Sequence, residues 1–237
     1  MKNNMRKLMF SAAAVVALTM LATAADLFHN PNGWRILDRV TLPNHGDWNF
    51  ATRHPDAIPS GGISFPLLNE SQGYTVYMLA NDNKDLTGKT ITAIVQVDAE
   101  SGTTFVGNSP CADRTATVGL EFQDTSAGGN DSNDYWWSTD RPSLVSLMNG
   151  GTLVASLADR ANWTNQDGRP ATDTTEDWKQ WNGEIVHMSP YDGFTKAMKN
   201  VKEVSLSFGD GCYYACGVAV SGTGTASFDL LGFSVAP

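Results

Sequence analysis

Between Val201 and Val235 the chain alternates apolar and polar residues with period two, and this stretch constrains the fold more than any other. Val204, Leu206 and Phe208 are interleaved with Ser205 and Ser207; Phe228, Leu230 and Gly232 are interleaved with Asp229, Leu231 and Phe233. Successive side chains of a strand leave on opposite faces, so this spacing predicts strands with one buried face. A glycine-rich turn carrying Cys212 and Cys216 separates them. The pattern is that of the closing part of a β-sandwich.

The rest of the chain agrees. Strand signals recur at 34–42, 63–68, 73–80, 89–99, 115–124 and 135–137. The 89–99 segment is the clearest, with Ile91, Ala93, Val95 and Val97 on one face. Asn149-Gly150, between apolar segments at 144–147 and 153–157, reads as a hairpin turn. Residues 81–88 read as a polar turn, and 43–72 and 158–187 as long irregular connections. One helix is predicted near 190–200. Ser189 is its N-cap, Pro190 its first residue and Asp192 its acidic first-turn residue, with Asn200 as its stop. Tyr191, Phe194, Met198 and Val201 form its apolar stripe. The fold class expected is all-β: a β-sandwich jelly roll with one short helix.

Residues 1–24 have the form of a secretory leader. Lys2, Arg6 and Lys7 precede a short apolar run from Phe10 to Leu21, and Ala22-Thr23-Ala24 supplies the small-x-small cleavage pattern. The run is shorter than a membrane span of about 20 residues. A secreted, extracellular, bacterial protein without membrane insertion is expected, folded as a single domain over 25–237. The chain carries 25 acidic against 16 basic residues, a net charge of −9, and losing the leader makes it more acidic still. Without a Lys/Arg cluster it is a poor nucleic-acid binder. Neutral glycans, bound cations or plain solubility all fit this balance.

Three cysteines follow the leader: Cys111, Cys212 and Cys216. In an oxidising compartment one pair closes and one thiol is left over. A Cys111–Cys212 disulfide closes the longer loop, worth up to about 4 kcal/mol in the chain-entropy picture, so it is favoured over Cys212–Cys216. Spacing alone does not settle the pairing. The leftover thiol makes self-association an expectation.

Seven tryptophans supply the main functional signal. Tyr135, Trp136 and Trp137 follow an Asp/Asn loop, and Trp163, Trp178 and Trp181 fall in the 158–187 connection. Exposed aromatic rings stack on the C–H faces of sugars while polar groups take the hydroxyls, a role for which Asp134, Arg141 and Asp159 are candidates. The competing reading is core packing. Trp136 must point away from Tyr135 and Trp137, so at least one of the three is expected inside. Asp124, Asp131 and Asp134 suggest either a structural calcium or simple turn chemistry. A glycan-cleaving enzyme needs two carboxylates about 5–10 Å apart; Glu70, Glu121, Glu184 and several aspartates are available, with Glu121 and Glu184 as the candidates. No G-x-S-x-G elbow, H-x-x-x-H or C-x-x-C spacing is present.

Two stretches carry a resemblance. Residues 85–97, DLTGKTITAIVQV, and residues 194–217 with 222–235, FTKAMKNVKEVSLSFGDGCYYACG and GTGTASFDLLGFSV, resemble the jelly rolls of galactose-binding-like domains and carbohydrate-binding modules. The chain also resembles secreted bacterial proteins of unassigned function carrying D-Y-W-W and S-F-G-G-G-C type motifs. Gly209-Asp210-Gly211 departs from the all-glycine turn, and Cys216 is an additional thiol. The resemblance implies a non-catalytic glycan-binding protein, with a hydrolase or lyase on the same fold and an extracellular assembly protein as alternatives.

Overall fold

A computed structural model describes residues 30–41, 48–59, 61–108, 114–125, 131–211 and 213–237. The leader, Cys111 and Cys212 lie outside the described residues. The strands run in chain order as β1 (Trp34–Thr41), β2 (Trp48–Arg53), β3 (Asp56–Ala57), β4 (Ile63–Pro66), β5 (Gly73–Lys84), β6 (Thr90–Ala99), β7 (Thr103–Gly107), β8 (Thr117–Gln123), β9 (Tyr135–Ser138), β10 (Gly151–Ser156), β11 (Trp163–Asn165), β12 (Trp178–Lys179), β13 (Ile185–Val186), β14 (Val201–Gly209), β15 (Val218–Gly222) and β16 (Ala226–Ala236). One helix, α1 (Pro190–Lys199), precedes β14.

The strands form two antiparallel sheets and a small ribbon. The larger sheet has the order β11-β9-β8-β14-β5-β1-β2, with β15 joining β5 to β7. The smaller is β10-β6-β16-β4-β3, and β12 pairs with β13. The alternating apolar residues of both sheets meet in one core. Val118, Leu120, Phe122, Val204, Leu206 and Phe208 come from the larger sheet; Phe65, Val95, Phe228 and Leu230 come from the smaller. Phe208 of β14 meets Phe228 of β16 edge-on at 5.0 Å and Phe65 of β4 at 6.0 Å, which fastens the sheets together. The described residues therefore form an all-β sandwich with one short α-helix.

The helix forms where its signals predict. Ser189 Oγ accepts from the Asp192 backbone N–H at 3.2 Å, and Asn200 is the C-cap. Phe194 inserts among Phe122, Trp136 and Trp163, at centroid distances of 5.5, 5.0 and 6.1 Å. Tyr191 leaves the stripe: it is exposed and carries the Arg160 guanidinium 3.9 Å above its ring.

Four local expectations change. β5 continues to Lys84, through the first half of the expected 81–88 turn. Asn149-Gly150 does not turn a hairpin; it closes a 3-10 turn, Ser146–Asn149, and only β10 follows as a strand. β16 slips register between Leu230 and Gly232, so Phe233 rather than Gly232 packs inward, 5.1 Å from Trp34. The connections read as irregular contain β2, β3, β11 and the β12–β13 ribbon, and β7 was not expected at all.

The outer face of the larger sheet is the structural surprise. Ser205 and Ser207, expected in solvent, are completely buried, as is Glu121, and Gln123 is nearly so. Trp137, Arg141 and the Tyr213–Tyr214 segment cover this face. It is against this cover that the candidate site is built.

Candidate functional site

Strand register places Thr164, Trp137, Glu121, Ser205 and Leu79 side by side across β11, β9, β8, β14 and β5. Glu121 lies at the centre of this row, 0% exposed. Ser205 Oγ donates to its Oε2 at 2.7 Å and Gln123 Nε2 donates to its Oε1 at 2.9 Å. Burial outweighs these donors and the Arg141 charge, and pushes the carboxyl up to about 8. At neutral pH the group therefore holds its proton for most of the time. Burial also raises the phenols of Tyr77, Tyr135 and Tyr213, with the Glu121 charge acting in the same direction, so they stay neutral.

Arg141 is the clamp that closes the face. Its Nη1 donates to Ser207 Oγ at 2.9 Å, and its Nη2 donates to the carbonyls of Ser207 and Tyr214 at 2.8 Å each. Its guanidinium lies 4.6 Å from the Tyr214 ring centroid. Gly119 leaves it room: a Cβ there would stand 2.5 Å from Arg141 Nη1. The clamp pins the Tyr213–Tyr214 segment beside Trp137, whose ring meets theirs edge-on at 5.9 and 6.3 Å.

Beyond Trp137 a cleft of about 630 Å³ opens. Trp137, Thr164, Asp167, Trp181, Tyr213 and Tyr214 are among the residues lining it. Trp181 is 68% exposed and Tyr213 40%, whereas Trp137 is almost wholly covered. The wall at 165–168 is an Asx turn. Asn165 Oδ1 accepts from the backbone N–H of Asp167 at 3.1 Å and of Arg169 at 3.0 Å. Asp167 Oδ1 accepts from the Trp181 backbone N–H at 3.0 Å, which ties the β12–β13 turn to this wall. Three buried polar atoms of the lining residues have no hydrogen-bond partner: Trp137 Nε1, Thr164 Oγ1 and Asp167 Oδ2. Buried polar atoms are ordinarily paired; here Asp167 Oδ2 is an acceptor in want of a donor, and the Thr164 hydroxyl is free to accept or donate.

A second cleft, of about 490 Å³, lies against the β12–β13 ribbon. Asp131, Asp134, Glu184, Ile185, His187 and Met188 are among its lining residues. Burial, and then the neighbouring Asp131, push the Asp134 carboxyl up to about 6. Among the described residues no three His, Cys, Asp or Glu side chains converge as metal ligands. Asp131 Oδ1 instead caps its own turn, accepting from the Asn133 N–H at 2.8 Å. Asp124 Oδ1 accepts from Asn200 Nδ2 at 2.9 Å. In the structure these two carboxylates serve turn and cap chemistry.

The sequence candidates divide accordingly. Trp137 and Trp181 line the first cleft, and Asp134, Asp131 and Glu184 line the second. Trp136 and Trp163 are completely buried core residues with no face to offer a ligand. Trp178 is buried with its N–H on the Met188 carbonyl and Arg169 over its ring at 4.8 Å. Tyr135 is half-buried beside Gln123. Arg141 spends its donors on the protein, and Asp159 caps a 3-10 turn. Glu121 is among the lining residues of neither cleft. Sequence reasoning missed Thr164, Asp167, Tyr213 and Tyr214. The signal for the first two was present in T-N-Q-D-G, an Asx-turn sequence directly after a tryptophan. Cys216 is a free, buried thiol, pushed up to about 12 by burial and by Asp210. Among the described residues no helix is long and apolar enough to cross a membrane. Compared with family models and with curated proteins, the sequence matches none.

Proposed function

We propose that this chain is a secreted carbohydrate-binding protein of galactose-binding-like type, and that its ligand occupies the aromatic cleft. One observation carries the reading: exposed Trp181 and Tyr213 flank a cleft whose buried lining keeps Thr164 Oγ1 and Asp167 Oδ2 unpartnered. Aromatic rings offer flat apolar surface to the C–H face of a sugar, and the two oxygens accept from its hydroxyls. Trp137 braces the cleft from below, and the Arg141 clamp holds the Tyr213 wall in place before any ligand arrives. The export leader and the resemblance of 194–235 to carbohydrate-binding modules support the same reading. Neither Glu121 nor Glu184 is used in this cleft, so binding without cleavage is the function proposed. A glycan array probed with the wild-type protein and with Trp181→Ala tests it. Hits on neutral glycans that fall at least about tenfold for the variant are expected. An array without hits, or hits indifferent to Trp181, would remove the proposal.

A further inference from the structure

The β12–β13 turn stands between the two clefts. Trp181 lines the aromatic one, while Gln180 before it and Glu184 after it line the second. Consecutive Cα atoms are about 3.8 Å apart, so the two linings are neighbours along the chain at this turn. Among the described residues neither lining contains a lysine or an arginine. The second cleft combines the carboxylates of Asp131, Asp134 and Glu184 with the exposed apolar side chains of Ile185 and Met188.

Asp134 is the informative member. It is 2% exposed, it lines the cleft, and its Oδ2 is buried with no hydrogen-bond partner. Its ion-pair neighbour, Lys196, stands 4.0 Å away on the other oxygen, Oδ1. A buried carboxylate oxygen without a donor is satisfied best by a charged N–H group. The absence of a three-ligand group among the described residues favours a cation that brings its own donors over a bare metal ion. The net charge of −9 attracts a polycation and repels uronate or sulfate polymers.

We propose that the second cleft is a subsite for the ammonium group of an amino sugar, and that the ligand is a glycan with free amino groups crossing the ribbon turn from the aromatic cleft. Asp134 Oδ2 accepts from the ammonium, Glu184 adds a second, solvent-facing carboxylate, and Ile185 and Met188 meet the C–H face of the ring. The inference rests on the carbohydrate reading of the first cleft.

Calorimetric titration of the full chain, in EDTA, with glucosamine oligosaccharides and with the same oligosaccharides N-acetylated tests it. The free-amine form is expected to bind at least about tenfold tighter, the size of a charge-assisted hydrogen bond. Asp134→Asn is expected to abolish that preference and leave the acetylated form unchanged; Glu184→Gln is expected to reduce it. If Asp134→Asn does not fold, the exposed Glu184 variant decides. Equal binding of the two forms, or a preference that survives both variants, would overturn the subsite while leaving the carbohydrate reading intact. So would tighter Asp134-dependent binding of calcium in a parallel titration without EDTA, or of a lysine peptide. Failure of every glycan to bind would overturn the carbohydrate reading itself.

Discussion

Glu121 is a carboxyl group on the face of a sheet that the alternation of Val204, Leu206 and Phe208 assigns to solvent, yet it is completely buried. Its consequence is a pH dependence of stability. The folded state holds a proton up to about 8, whereas an unfolded glutamate releases it near 4.3. Between those values the native state binds more protons than the unfolded state, so this group makes stability fall as pH rises, by up to about 1.4 kcal/mol per unit, and the fall ends above about 8. Urea titrations of wild type and Glu121→Gln at pH 5, 7 and 9 check this, pH values chosen to span the window; the variant should show a flatter profile and gain most at the highest pH. Cys216 gives a simpler expectation. Its buried thiol, held up to about 12, should react with a thiol reagent only as fast as the protein opens. Rapid labelling in native buffer would contradict its placement. The tryptophans separate by the same logic. Trp136→Ala should cost about 3–5 kcal/mol in a denaturant melt. Trp181→Ala should stay within about 0.5 kcal/mol of wild type, because its ring is mostly in water.

Elements were legible where local chemistry decides them. α1 carries its cap, its proline, its acid and its stop within its own segment, and it forms between Pro190 and Lys199. β6 shows the period-two burial its sequence predicts, β8, β9 and β14 form where strand signals stand, and the pleat alone put Trp136 opposite Tyr135 and Trp137. Elements were illegible where a partner decides them. Phe233 turns inward only because β16 slips against β6 after Leu230. β11 is three residues long and exists by pairing with β9. Asn149-Gly150 stops a 3-10 turn because the chain must leave one sheet for the other. The candidate cleft was half legible for the same reason: its aromatics announce themselves in composition, but Thr164 beside Trp137, and Tyr213 across from it, depend on register and on the Arg141 clamp. Gly193 illustrates how context overrides propensity. Alanine is the better helix former by about 1 kcal/mol. Yet a Cβ at 193 would stand 2.5 Å from Asn133 Cγ, and the turn bearing Asn133 packs against the helix. Gly193→Ala is therefore expected to lower stability by about 1–3 kcal/mol, read as a shift in melting temperature.

At the scale of the molecule the sandwich acts as a frame. Its core fastens two sheets together through Phe65, Phe208 and Phe228, and the larger sheet turns its second face into a covered polar layer. That layer holds Trp137 and the Tyr213–Tyr214 segment, and these with the β12–β13 turn make an aromatic cleft in an acidic chain. The account stands on whether a sugar sits in that cleft. Hydroxyl-radical footprinting with and without a glycan recovered from the array reads this out residue by residue. The prediction is that saturating glycan protects Trp181 and Tyr213, while Tyr191 and Phe50, exposed elsewhere on the molecule, react as before. Unchanged reactivity of Trp181 and Tyr213 in the presence of a bound glycan would contradict it.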